Sequence, residues 1–456
     1  MLLSIVLIPN SNVMSFIIII TCLLSLILLI SYFKIDAFLS LVIISIVLAI
    51  FLGIPFSKIP SVVEKGIGNM MGSLTLTIVF GAMLGKLIAD SGAAQKIAEV
   101  MENIMGIKNI QWGLMMTGFI VGIPLFYNVG FVLMVPIIFS VVYQYKFPAV
   151  YIGLPMLASM SVAHGFLPPH PSPVALVAML NANMGVTLIF GIIIAIPAII
   201  IAGPVFSKTL KNIKTGTLKL FETSRQDNYP NHNKPGKANS FLSAILPVFL
   251  LIITTAITYL LPKREEHASG ILSLIGDPTI VMLLSLITAT YTLGIRQGRK
   301  IKEIMAVYSD AVKDISMILL IIAGSGIFKE VMETSGVSLT LANAMEKLPV
   351  HPLILGWLIA GMIRICIGSA TVAALTAAGV IMPFVIQSGI NPNLMVLSLG
   401  AGSLMFSHVN DSGFWMFKEY FNLSIKDTLR SWSIMEIIVS VVGLFGVLIL
   451  NLIVSH

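Results

Sequence analysis

Apolar residues run along this chain in blocks of about 20, the length that crosses a bilayer core as a helix. Clear blocks cover roughly 13–33, 37–56, 70–89, 185–206, 240–261, 278–294, 314–331 and 431–453. Four further apolar stretches, 111–145, 149–183, 353–387 and 393–418, are long but broken by Gly, Pro, Asn and His. The pattern predicts an all-α, polytopic membrane protein.

The pattern also repeats. Ser159-Met-Ser-Val-Ala-His164-Gly165 returns at an offset of 244 as Ser403-Leu-Met-Phe-Ser-His408-Val. Upstream, the stretch from Gly81 through Lys86 and Asp90 returns at an offset of 243 as Gly324 through Lys329 and Glu333. Duplicated halves with interrupted apolar segments at corresponding positions are the sequence mark of a secondary transporter and its binding site.

Composition narrows the class. With 57% hydrophobic and 10% charged residues, and a mean hydropathy of +1.00, a soluble globular domain is excluded. The net charge of +7 is sorted between loops rather than gathered on one face, so it is not a nucleic-acid signal. Cys22 and Cys366 fall in apolar segments, which argues against a disulfide, and neither has metal-ligand spacing. The start, Met1 to Pro9, lacks a basic region and a cleavage site and reads as uncleaved.

Charge sets the topology. The segment 207–239 is basic and divides the chain into halves, 1–206 and 240–456; the positive-inside rule makes it cytoplasmic. Giving each half five crossings and one re-entrant hairpin puts 19 of the 27 Lys and Arg on the cytoplasmic face and six outside, with Lys86 and Arg364 within the membrane. An odd number of crossings inverts the second half and leaves both termini outside, in a multi-pass protein of the cell membrane.

The chemistry gathers in the broken stretches. In 111–145, two apolar arms flank Tyr127, Asn128 and Gly130; in 353–387 they flank Gly368, Ser369 and Thr371. Each reads as a hairpin whose tip offers free N–H groups and two helix starts to an anion. Two ordinary spans with small packing residues are the plainer alternative. In 149–183, prolines 168, 169, 171 and 173 demand helix, extended linker, helix, and 393–418 is its partner. His164, Gly165 and His170 lie in the first linker; His408, Asn410, Asp411 and Ser412 lie in the second.

Ionisable groups at membrane depth are functional by default. Asp411, His164 and His408 are the proton-coupling candidates. Arg364 is a partner for a substrate carboxylate or for Asp411, or it snorkels to the outer face. Snorkelling or helix-end charge pairing fits Lys86 and Lys329. Glu436 sits only a few residues inside the last block, which suggests an interfacial role, and His170 alone could be a packing residue.

Four stretches carry a resemblance: Gly122-Ile-Pro-Leu-Phe-Tyr-Asn-Val-Gly-Phe, His164-Gly-Phe-Leu-Pro-Pro-His-Pro-Ser-Pro, Gly368-Ser-Ala-Thr-Val-Ala-Ala-Leu-Thr and His408-Val-Asn-Asp-Ser-Gly-Phe-Trp. With them the chain resembles, over nearly its whole length, the gluconate:proton symporter family, within the wider ion-transporter superfamily. The resemblance implies import of gluconate and related sugar acids, in some members D-serine. It further implies inverted repeats, paired hairpins, elevator-type movement and a homodimer. Where this chain has Asn128, many members of the family have an acidic residue.

The expectation is therefore a proton-coupled importer of a small sugar-acid anion, set in a lipid bilayer, with no cofactor and no metal. Sodium-coupled import of a carboxylate or hydroxy acid such as D-serine is an alternative. So is an intramembrane metalloenzyme built on His164, His170, His408 and Asp411, although no His-Glu-x-x-His spacing supports it.

Overall fold

The computed structural model describes residues 12–213, 215, 235–260, 274–337 and 349–454. Met1 to Pro9, most of the basic 207–239 segment, Lys263, Arg264 and Lys347 lie outside them. Among the described residues all regular structure is helical.

The first half comprises α1 (Asn12–Ser31), α2 (Ala37–Phe51), α3 (Ile59–Asp90), α4 (Ala93–Met105), α5 (Ile110–Gly122), α6 (Tyr127–Tyr145), α7 (Ala149–Phe166), α8 (Pro171–Met179) and α9 (Met184–Ile200). The second comprises α10 (Lys237–Leu260), α11 (Pro278–Ala289), α12 (Ile301–Thr334), α13 (Pro352–Ile367), α14 (Ala370–Ser388), α15 (Pro392–Gly402), α16 (Ser412–Tyr420) and α17 (Ile434–Val454). Continuous helical turns over Ile425 to Ser433 lead into α17. Polar residues at the block edges start the helices by accepting orphan N–H groups. Asp36 caps α2, Asn183 α9, Asp277 α11 and Asn391 α15.

All eight predicted blocks are helices, but α3 and α12 are longer than their apolar cores. Glu64, Lys65, Asp310 and Asp314 mask their ends on a hydropathy scale. Two of these charges are paired between the helices: Lys65 lies 2.6 Å from Glu330, and Lys86 lies 2.7 Å from Asp314. Arg299, just before α12, pairs with Asp90 at the far end of α3. The pairings run in opposite order along the two helices, so α3 and α12 are antiparallel. They occupy equivalent positions in the sequence repeat. Close approach is possible because glycine faces glycine: a Cβ on Gly66 would lie 2.7 Å from the Gly326 carbonyl oxygen.

Both broken stretches of each half are interrupted where the pattern breaks, with two adjustments. The first hairpin reverses at Ile123–Phe126, not at Tyr127–Gly130. Pro124 lies at the reversal, Tyr127 opens α6, and Gly130 lies in its first turn. In the first broken helix only 167–170 is non-helical. Pro171 and Pro173 sit in the first turn of α8, where a missing N–H costs nothing.

Candidate functional site

Helix starts converge on one cavity. The second hairpin turns at Gly368, whose φ of +81° favours glycine and whose added Cβ would strike the Asn410 backbone carbonyl. Ser369 then caps α14, accepting from Val372 N at 3.4 Å. In the first hairpin no side chain among the described residues caps α6, which leaves its leading N–H groups without an intrahelical acceptor. Asp411 caps α16 through Gly413 N at 3.1 Å. Residues from these three starts line a cavity of about 1260 Å³: Phe126 and Tyr127, Ser369 to Thr371, and Ser412 with Gly413.

Arg364 anchors the wall. It stands in the last turn of α13, 4% exposed, and does not snorkel. One guanidinium nitrogen donates to the Gly368 carbonyl. Nη2 donates to Asp411 Oδ2 at 2.5 Å, while Nε has no partner. Ser407 also donates to Asp411 Oδ2, and Trp432 Nε1 donates to Ser407 Oγ at 2.7 Å. A single network thus fixes the second hairpin tip, the second linker and the approach to α17. Trp432 stacks on Phe417, with ring centres 5.4 Å apart, and stands 6.0 Å from Tyr127.

The remaining expected residues divide. His164 lines the cavity, its ring 6.0 Å from Tyr127 and 5.3 Å from His170, with Nδ1 buried and unpartnered. The Tyr127 hydroxyl is likewise buried without a partner. His170 does not line the cavity. Its Nε2 donates to the Gly122 carbonyl at 2.7 Å, closing the C-terminal end of α5. His408 and Asn410 serve the equivalent helix, α13. His408 Nε2 lies 2.9 Å from the Ile365 carbonyl, and Asn410 Nδ2 donates to the same oxygen at 2.8 Å. Gly130 packs against Met160 and Gly165 against Leu404, and neither glycine lines the cavity. The Asn128 side chain lies outside the described residues.

Ser161, Trp432 and Glu436 are among the wall residues that sequence reasoning did not assign to the site. Glu436 corrects the interfacial expectation. The apolar block begins near 431, but the helical run extends back to Ile425. Glu436 is 2% exposed and accepts from Ser161 Oγ at 2.7 Å through Oε1. The usable signal was its spacing: Trp432 and Glu436 are one turn apart on a single helix face. Among the described residues no group of three or more His, Cys, Asp or Glu is placed to hold a metal ion.

Comparison with known proteins gives one answer. A family model described as GntP family permease matches residues 14–453. The high-affinity gluconate transporter of Escherichia coli (strain K12) is 42% identical over 429 residues, covering 94% of this chain and 97% of that one. The Gnt-II system L-idonate transporter of the same organism is 41% identical over 420 residues, covering 92% and 95%. Among solved structures, the Alcanivorax borkumensis YdaH transporter, described as having an unusual topology, matches with a TM-score of 0.63 at 15% identity, over 91% of this chain and 96% of that one. At that identity the likeness concerns the fold alone.

Proposed function

The chain belongs to the GntP permease family and is a multi-pass membrane transporter, not an enzyme, and from that premise we propose that it imports gluconate or a related sugar-acid anion together with protons. The observation that carries the reading is the buried Arg364 beside the uncapped start of α6 and the start of α14. An anionic carboxylate is stabilised at such a place by aligned N–H groups and by a desolvated cation. Ser369, Thr371, Ser412, Tyr127 and His164 then face the substrate hydroxyls. The Tyr127 and Trp432 rings offer an apolar edge to its carbon chain. The names of the relatives, for gluconate and L-idonate, fit this chemistry.

Proton coupling needs a group whose charge state changes the affinity for the anion. Asp411, His164 and His408 are candidates, of which Asp411 and His164 line the cavity. Alternating access is elevator-like: the hairpins and broken helices move as one body against α3 and α12, in a protein that works as a homodimer. Its termini are outside and the 207–239 segment is cytoplasmic. On that topology the cavity runs inward, towards Lys86, Asp90 and Asp314.

The test is uptake of labelled gluconate into proteoliposomes under an imposed pH gradient without sodium. Accumulation abolished by a protonophore and competed by L-idonate is expected. A requirement for sodium would replace the coupling ion, and saturable uptake of D-serine alone would replace the substrate.

A further inference from the structure

Four acidic side chains line the cavity: Asp90, Asp314, Asp411 and Glu436. Three are held by cations, Asp90 by Arg299, Asp314 by Lys86 and Asp411 by Arg364. Asp411 has both oxygens engaged, Oδ2 with Arg364 and Ser407 and Oδ1 with Gly413 N–H. A proton arriving there would remove the charge on which the pairing with Arg364 rests. Glu436 differs. Its Oε1 holds one hydroxyl, and Oε2 is buried with no partner. The nearby Tyr127 hydroxyl and His164 Nδ1 are unpartnered on the same wall. Buried polar atoms are almost always satisfied, and a cluster of exceptions in a ligand cavity marks where a ligand or proton is received.

We propose that Glu436 is the group that carries the coupling proton. This rests on the proton-coupled reading above and names its acid. The charge count supplies the mechanism. Arg364 is balanced by Asp411, so an arriving anion meets an ionised Glu436 as uncompensated negative charge. A proton from the outer side forms an O–H bond at Oε2, removes that repulsion and lets the anion bind. By linkage the anion raises affinity for the proton equally. On the inner side the O–H bond breaks and both leave. The titratable and charged groups facing Glu436 are Tyr127 from α6, His164 from α7 with His170 behind it, Arg364 from α13 and Asp411 at the start of α16.

The deciding experiment compares Glu436→Gln with the native protein in proteoliposomes. Glutamine keeps the shape and cannot ionise. Gradient-driven accumulation should fall by about tenfold or more, in the range of coupling between two ligands. Exchange of labelled for unlabelled gluconate without a gradient should continue, slower or faster, but lose its dependence on pH. Accumulation and pH dependence like the native protein's would overturn the proposal. Ser161→Ala guards against a folding defect. Loss of the hydroxyl that favours the ionised carboxylate should move the pH of half-maximal accumulation upwards, and an unmoved profile with intact accumulation would also overturn it. If the native protein shows no proton-driven accumulation at all, the coupling reading itself fails, and that is visible without any variant.

Discussion

Replacing Arg364 with glutamine separates two effects that the site combines. Arg364 is 4% exposed and donates to both Asp411 and the Gly368 carbonyl. Its removal leaves Asp411, 13% exposed, without a cation. Breaking a buried ion pair from one side costs about 3–5 kcal/mol of stability. Substrate binding loses a charge-assisted hydrogen bond, about 1.5–3 kcal/mol, which raises the Kd for gluconate by about 10- to 150-fold. The double variant Arg364→Gln with Asp411→Asn removes the orphaned charge as well as its partner. It should recover most of the stability and none of the affinity. Thermal unfolding in detergent reads the first quantity and isothermal titration with gluconate the second. A double variant that binds gluconate as tightly as the native protein would refute the assignment of Arg364 to the substrate anion.

Other variants test single contacts. His170→Phe leaves the Gly122 carbonyl without its donor and should lower stability by about 1–3 kcal/mol with little change in Kd; an equal loss of affinity would place His170 at the substrate instead. Tyr127→Phe removes a hydroxyl that has no protein partner, so stability should hold while Kd rises about 2- to 10-fold; unchanged binding by titration would remove Tyr127 from the site. Gly66→Leu drives a side chain into the Gly326 backbone and should cost at least about 1–3 kcal/mol by overpacking. That loss would appear as a lower yield of folded protein, and normal yield with native Tm would show that the α3–α12 crossing is loose.

Much of this was legible in the residues. Apolar blocks about as long as a bilayer core is thick, with further apolar stretches interrupted by Pro and Gly, leave few options, because unsatisfied backbone is not tolerated in lipid. The repeat supplied the pairing of hairpins and broken helices. Side-chain direction was less legible. His170, His408 and Asn410 look like Asp411 in sequence, being polar residues in a linker at membrane depth. Only the fold shows that they close the ends of α5 and α13, whereas Asp411 turns to the cavity. Glu436 was misread for the opposite reason. Lys426, Asp427 and Arg430 made the preceding turns look like a loop, while in three dimensions they continue the helix.

The closing of helix ends has a consequence for movement. In the first half the broken-helix linker caps the end of the first hairpin arm through His170. In the second half it does so through His408 and Asn410. The residues differ, but the connection is the same: each hairpin tip is hydrogen-bonded to the linker that follows it. A hairpin moving alone would break these bonds and leave a carbonyl unsatisfied in a medium without water. A hairpin moving with its broken helix breaks none. The binding surface drawn from the α6, α14 and α16 starts would then travel intact, with Arg364 and Asp411 still paired. The contacts that would change are those with α3 and α12, where Gly85 of α3 faces the Pro124 carbonyl and Gly379 of α14 faces the Phe328 ring of α12. The hydrogen bonds thus tie each hairpin to its own broken helix, as the proposed displacement of a whole site requires.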